Sequence, residues 1–339
     1  MKKILALLLS LVMIVSLSGC AQKPATPATQ EGEPINIMIG HTDSSSRSTH
    51  KWAVWLGEYL EENAPGRFTV EVHSDGALGD SPDLVAGIKL GTITMMFDLS
   101  SVVTAATGEA SGCIDLPYLY PTYEDWVEGT FEKGGLDLFN ELIKDQGYYC
   151  IDMYYNGMRH LISSAKHYHN SDDLHGQKVR IAQNELNVEM WKAMGANPTP
   201  MAWGEVITSL SQNTINALDH SLGVFNDFSL HEIAPYVTLT NHASSPFPII
   251  TSLEWIESLD PADREVLEAG VREMARQQRD EERAKEAEYI ERFRSENATV
   301  EELTPEEVAA FIESVQPVYD LWRQKVGDEV MDKWLNTRP

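Results

Sequence analysis

Between Ile35 and Val72 the hydrophobic period of this 339-residue sequence changes twice, and few folds accommodate that pattern. Ile35, Ile37 and Ile39 alternate with residues of the opposite face, which is the period of a strand. Trp52, Trp55, Leu56, Tyr59 and Leu60 then line one face of a helix that Pro65-Gly66 stops. Phe68, Val70 and Val72 alternate again. Strand, helix, strand in that order predicts a parallel α/β sheet, because parallel neighbours need a long crossover that a helix supplies. Ile93 to Phe97 reads as the next strand. Ligands of open α/β sheets lie beyond the C-terminal ends of strands. The loops after Ile39 and after Phe97, which carry His41 and Asp98, are therefore site candidates.

Further along, Ser81 reads as a helix cap with Pro82 at the first helical position and Asp83 near the positive end. Tyr148 to Tyr155 reads as a strand broken at Asn156-Gly157-Met158-Arg159. Asp172 to Gly176 reads as a polar strand, Asn184 to Met194 as a helix, Pro198 to Met201 as a turn, and Trp203 to Leu210 as a helix. A short strand from Ile215 to Leu218 ends at Asp219-His220-Ser221, and Pro246 to Ile250 form an apolar strand. Asp260-Pro261 opens a helix reaching about Ser295, which at ~1.5 Å per residue is on the order of 50 Å and exceeds the width of one domain. Within it Val266, Leu267, Val271 and Met274 face a core, while the charged run from Arg276 to Glu288 reads as solvated. Thr304-Pro305-Glu306-Glu307 is a capping box for a last helical region.

The amino terminus predicts export. Lys2 and Lys3 precede an apolar run from Ile4 to Leu17, shorter than the ~20 residues a membrane span needs. Residues 1–20 read as a signal segment whose ending, Leu17-Ser18-Gly19-Cys20, resembles a lipobox with Cys20 as the lipidated residue; an ordinary secretory signal with a chance cysteine is the alternative. Two acyl chains suffice for stable anchoring. Residues 21–34 read as a flexible tether. The expected place is the outer face of the cytoplasmic membrane. Cys113 and Cys150 remain, and both pairing and lone burial stay open for them.

The formal charge of −26, with 52 acidic residues, argues against nucleic acid, whose binding needs Lys and Arg against phosphate. It leaves room for an anionic small molecule if positive groups gather in one cleft. Catalytic signatures are missing: there is no nucleophile elbow, no phosphate-cradling loop and no dinucleotide fingerprint. His167 and His169 form a possible metal pair without a third ligand, so surface histidines are the simpler reading. No cofactor, metal or enzymatic activity is expected.

Arginine is scarce before position 260, with only Arg47, Arg67, Arg159 and Arg180. Arg180 sits in a predicted turn and strand, Gly176 to Gln183, between Val179 and Ile181. There it is either a solvated edge residue or a planar clamp for a carboxylate. Trp203 at the head of its helix is either core or an aromatic wall, and His220 either a ligand contact or a loop histidine.

Three stretches tip these alternatives. Asn156-Gly157-Met158-Arg159, Asp173 to Arg180, and Gly195 to Val206 resemble the core motifs of the DctP-type solute-binding proteins that serve tripartite ATP-independent periplasmic (TRAP) transporters. Gly76-Ala77-Leu78-Gly79, Leu90-Gly91-Thr92, Leu116-Pro117-Tyr118 and Thr238 to His242 are similar to further family motifs. The resemblance covers Ile35 to the C-terminus. It implies a two-domain α/β clamshell, like other periplasmic binding proteins, with mixed sheets, several crossovers between domains and a long connecting helix. Domain one would be 35–156 with 246–285, and domain two 157–245 with 286–339. It also implies that Arg180 pairs with the carboxylate of a small organic acid, that Arg159 assists, and that Trp203 lies against the ligand. His220 stands where the family usually has asparagine, and Gln183, Asp98 and His41 stand where its polar contacts vary. The chain departs from the family over Ile215 to Ser221, where the family's glycine, asparagine and proline are all replaced. Membrane subunits of a TRAP transporter are the implied partner. A binding component of an ATP-driven transporter, a sensor's ligand module and a lipid-anchored hydrolase are the rivals.

Overall fold

The computed structural model describes residues 33–339. The signal segment, Cys20 and all but the last two residues of the tether lie outside the described residues. No helix among the described residues is long and apolar enough to cross a membrane.

The opening pattern folds as its periods predict. β1 (Ile35–Gly40) and β2 (Phe68–His73) pair in parallel with Ile35 opposite Phe68, and the helix Ser48–Asn63 makes the crossover. β3 (Met95–Phe97) joins the other side of β1, also parallel. β4 (Tyr148–Ser163), β5 (Lys178–Ile181), β6 (Asn197–Pro200), β7 (Ala217–His220), β8 (Tyr236–Ser252) and β9 (Thr299–Glu302) complete a mixed sheet. Its order is β2-β1-β3-β8-β4-β7-β5-β6, with β9 on β8. β3 pairs with β8 at residues 249–251 and β9 with β8 at residues 236–239. The two long antiparallel strands β4 and β8 are thus shared by two half-sheets, the architecture of a two-domain α/β clamshell.

Four local expectations are corrected. The strand through Tyr155 does not break at Asn156-Gly157-Met158-Arg159; β4 continues across it as a bulge, with Asn156 and Gly157 together opposing Ser245. Gly157 takes φ +100°, and a Cβ there would come within 2.8 Å of the Ser221 side chain, so glycine is needed for the bulge to close. Residues Ser171–Leu174 form a short helix rather than a strand, capped by the Asn170 side chain accepting from Asp173 N. Pro198-Thr199-Pro200 is strand β6 rather than a turn, tolerated because β6 is the last strand of its edge. The same logic admits Pro246 and Pro248 to β8, in the stretch between its pairings with β9 and β3. The fourth correction concerns the long helix.

That helix runs from Pro261 to Ser295 as expected, but its charged middle is not simply solvated. Gln278, Arg279 and Glu282 are buried. Gln278 donates to Tyr155 O and accepts from Tyr155 N at the bulge, and Arg279 donates to Asp152 and to Met153 O. Backbone groups freed by the irregular strand need partners, and long polar side chains from the helix supply them. At its start Asp263 takes a bidentate pair from Arg67, and near its end Arg292 donates to Asn226. The helix therefore straddles both half-sheets. The smaller helices Pro305–Ser314, Gln316–Val326 and Asp328–Leu335 close the largest core, where Phe311, Trp322 and Trp334 pack with Tyr120, Phe139 and Trp191. The capping box at Thr304 forms as read. Cys113 and Cys150 are both buried and free, so lone burial is the outcome.

Candidate functional site

The bulge in β4 lies where that strand faces Ser245 of β8, just before Arg159. Arg159 follows it on β4, and His160 pairs with His220 of β7. Arg180 lies one strand further out, on β5, opposite Leu218 of β7. The four residues singled out, Arg159 on β4, Arg180 on β5, His220 on β7 and Trp203 in the helical turn after β6, come together here. The Arg180 guanidinium sits 5.3 Å from the Trp203 ring, and Trp203 meets His220 edge-on with centroids 5.5 Å apart.

Their environments differ. Arg180 is buried, and its Nε and Nη2 donate to the Met201 carbonyl at 3.1 and 2.7 Å. This uses the side-on face of the guanidinium. Nη1 makes no hydrogen bond and the group has no carboxylate partner among the described residues, so its end-on fork is open. Burial lowers its pKa to about 10, with Asp219 partly restoring it and Arg159 opposing. Arg159 is engaged instead: Nε donates to Asp219 Oδ2 at 2.8 Å and Nη2 to the Asp219 carbonyl at 2.9 Å. His242 Nε2 contacts the same Oδ2 at 3.1 Å, and Thr240 Oγ1 lies 2.7 Å from His242 Nδ1. Burial works to raise the Asp219 pKa, but Arg159 and His242 outweigh it and hold the carboxyl well below its ordinary value.

His220 is neutral. Its Nδ1 accepts from Ser221 N at 2.9 Å, which puts the proton on Nε2 and leaves an N–H donor with no partner among the described residues. Burial, then the charge of Arg159, keeps its pKa well below 6.5.

Sequence reasoning passed over the opposite wall. Arg47, which stood only in the count of arginines, precedes the helix Ser48–Asn63 and is buried. It lies 3.4 Å from Asp43, 3.3 Å from Asp227 and 3.8 Å from Glu282. Its Nη2 donates to Asn156 Oδ1 at 2.8 Å, and Asn156 Nδ2 to Ser245 Oγ at 3.4 Å. Ser245 Oγ in turn lies 3.5 Å from Arg159 Nη1. A polar chain thus joins Arg47 to Arg159 through the bulge itself. Asn156 in the quoted motif was the available signal, while Asp219 and His242 lay within quoted motifs without an assigned role.

The remaining expected residues are not brought to this cluster by any contact among the described residues. His41 stacks on Phe97 with centroids 4.6 Å apart and hydrogen-bonds His50, and burial lowers its pKa to about 4. Asp98 accepts from Thr42, Ser81 and its neighbour Leu99 N, and burial raises it to about 6. Both shape the loop that ends in Arg47, since Asp43 of that loop also accepts from Thr49. Gln183 is exposed on the loop after β5. The possible metal pair, His167 and His169, instead flanks Glu301, with Nε2 atoms 3.6 and 3.0 Å from its two oxygens. His231, Glu232 and Glu296 lie close enough to share an ion, but Glu296 is already paired with Arg292. A depression of about 580 Å³ beside Lys89 and Glu254 adjoins none of the clustered arginines and holds no buried cation.

Comparison with known proteins shows the family and the fold. The sequence model of the family described as bacterial extracellular solute-binding protein, family 7 (DctP), matches residues 39–325. The chain is 27% identical to the 2,3-diketo-L-gulonate-binding periplasmic protein YiaO of Escherichia coli (strain K12), over 72% of this chain and 74% of that one. It is 23% identical to the sialic acid-binding periplasmic protein SiaP of Vibrio cholerae, over 95% and 96%. The crystal structure of the sugar acid binding protein DctPAm of Advenella mimigardefordensis, in complex with galactonate, superposes with a TM-score of 0.82 at 24% identity, covering 90% of this chain and 98% of that one.

Proposed function

Since the chain belongs to the DctP family of bacterial extracellular solute-binding proteins, we propose that it captures a small organic acid between its two domains and delivers it to the membrane subunits of a TRAP-type transporter. The observation that carries this reading is the open fork of Arg180: a buried, charged guanidinium whose side-on face is fixed by Met201 O and whose end-on donors are free. A planar pair of parallel donors matches a carboxylate and a lysine does not. Trp203 braces the guanidinium from one side, and His220 and Arg159 supply donors for the rest of the ligand. Domain one is 35–156 with 246–285, and domain two 157–245 with 286–339. The bulge at Asn156-Gly157 and its partner Ser245 support that division, because the irregular strand is where the two half-sheets meet.

Removing the clamp from a closed site costs ~2–5 kcal/mol, and each 1.4 kcal/mol is about tenfold. Arg180→Ala weakens acid binding by about 30-fold or more in titration calorimetry, and Arg180→Lys does not restore most of it. Near-native affinity in either variant would falsify the clamp. The lipobox supports an anchor through Cys20 on the outer face of the cytoplasmic membrane. Intact-mass measurement of the membrane-extracted chain is expected to show a lipidated Cys20 as its N-terminal residue, and an unmodified Cys20 or a different N-terminus overturns the anchor.

A further inference from the structure

The cluster contains three buried guanidiniums, and their company is unequal. Arg159 is matched by Asp219, which is fully buried and holds its charge. Arg47 faces three carboxylates, Asp43, Asp227 and Glu282. Arg180 alone of the three has no carboxylate partner among the described residues, and its hydrogen bonds go to the Met201 carbonyl. The charges that act on Arg180 are Asp219 from β7 and Arg159 from β4, which cancel, so the three groups together carry one net positive charge. The wall around Arg47 is in excess of acid, and Asp115 adds another carboxyl facing Arg159.

We propose that the site admits acids with a single carboxylate and rejects the matching dicarboxylates, with Asp219 as the residue that sets the limit. The inference rests on the carboxylate reading above and narrows its ligand class. One carboxylate on the Arg180 fork brings that side of the site to charge balance. A second carboxylate must be stripped of water with no unmatched guanidinium to receive it and with the acids around Arg47 repelling it. In a low-dielectric cleft an unpaired charge is the strongest reason to refuse a ligand. What remains for the far end of the ligand is donors without net charge: His220 Nε2–H and the lightly held Nη1 of Arg159. These suit hydroxyl or keto oxygens. The expected class is a hydroxy- or keto-monocarboxylic acid. The behaviour of the guanidiniums agrees: burial lowers Arg180 to about 10, while the acids around Arg47 overcome burial and raise it above its ordinary value.

The test uses matched pairs that differ only in the number of carboxylates, galactonate against galactarate and glycerate against tartronate, with galactitol as the uncharged control. Titration calorimetry on the full chain at pH 7.5 is expected to give at least tenfold tighter binding for the monoacid of whichever pair binds. A diacid that binds within tenfold of its monoacid, or more tightly, overturns this inference and leaves the carboxylate reading standing. Galactitol binding in preference to every acid overturns both. Asp219→Asn keeps the shape of the pair and frees Arg159, so it is expected to narrow the monoacid preference by at least tenfold. An unchanged preference in a folded Asp219→Asn protein removes Asp219 from the assignment. If that variant fails to fold, the wild-type pairs decide.

Discussion

The walls around Arg47 and Arg180 present the same side chain at nearly the same burial, 8% and 4% exposed, in opposite company. Arg47 is tied to three carboxylates and an asparagine drawn from four separate segments of the chain. It is a fastening: its charge is used up in holding the loop before Ser48, the long helix and the helix Leu222–Asp227 together. Arg180 is held in place by a backbone carbonyl and an aromatic face, and its charge is left over. A buried arginine is therefore not by itself a sign of a ligand site. The missing counter-charge is, because a folded chain tolerates an unmatched buried cation only where something else completes it.

The comparison is most severely tested by removing each guanidinium from the ligand-free protein. Arg47→Met leaves Asp43, Asp227 and Glu282 buried or half-buried without their cation, and breaking a buried pair from one side costs about 3–5 kcal/mol. Arg180→Met removes a charge that has no partner, so ligand-free stability stays within about 1 kcal/mol of the parent or rises. Denaturant titration of the two variants reads the difference directly. Equal losses would show that Arg180 is also a structural fastening and would end the distinction between the walls.

The same contrast marks what could be read from the sequence. Features set by local order were legible: the strand–helix–strand opening, the capping box at Thr304 and the long helix starting at Pro261 follow from period, caps and breakers within a few residues. Arg180, Arg159 and Trp203 were legible as candidates because they sit in recognisable motifs, and His220 because it stands where the family usually has asparagine; the fold does gather them. What escaped depends on distant segments. The strand through Asn156 reads as interrupted, since nothing nearby shows that Gln278, more than a hundred residues away, satisfies the backbone of Tyr155. Arg279 and Glu282 read as solvated because charge normally is, until Asp152 and Ser48 arrive as partners. Arg47 showed only its rarity. Whether a guanidinium is matched or left over is a property of the tertiary neighbourhood, and no spacing along the chain encodes it.

A smaller effect separates the walls by protonation. His160, His220 and His242 lie buried around the Arg159–Asp219 pair, and burial lowers the pKa of each, with His160 falling to about 3. In the unfolded chain each histidine titrates near 6.5. Between those values the unfolded chain binds a proton that the folded chain refuses, so these groups make stability rise with pH and fall as acid is added below about 6.5. Asp98 and Asp115, raised to about 6 by burial, act in the opposite sense, taking up protons in the folded chain between about 6 and the ordinary carboxyl value. Over pH 6 to 5 the buried histidines outnumber these two carboxyls, and net stability is expected to drop on acidification. His160→Gln isolates one contribution, since it keeps an acceptor for the weak contact from Asn241 N and removes one proton from the unfolded chain's uptake. One proton is worth about 1.4 kcal/mol per pH unit when fully bound. The variant is therefore expected to lose about 1 kcal/mol less than the parent between pH 6 and pH 5, measured by denaturant unfolding at both values. Identical losses would mean that His160 takes its proton in the folded state. The wall beside Arg180 would then carry a cation beyond those counted above, and its capacity for a second ligand carboxylate would have to be larger.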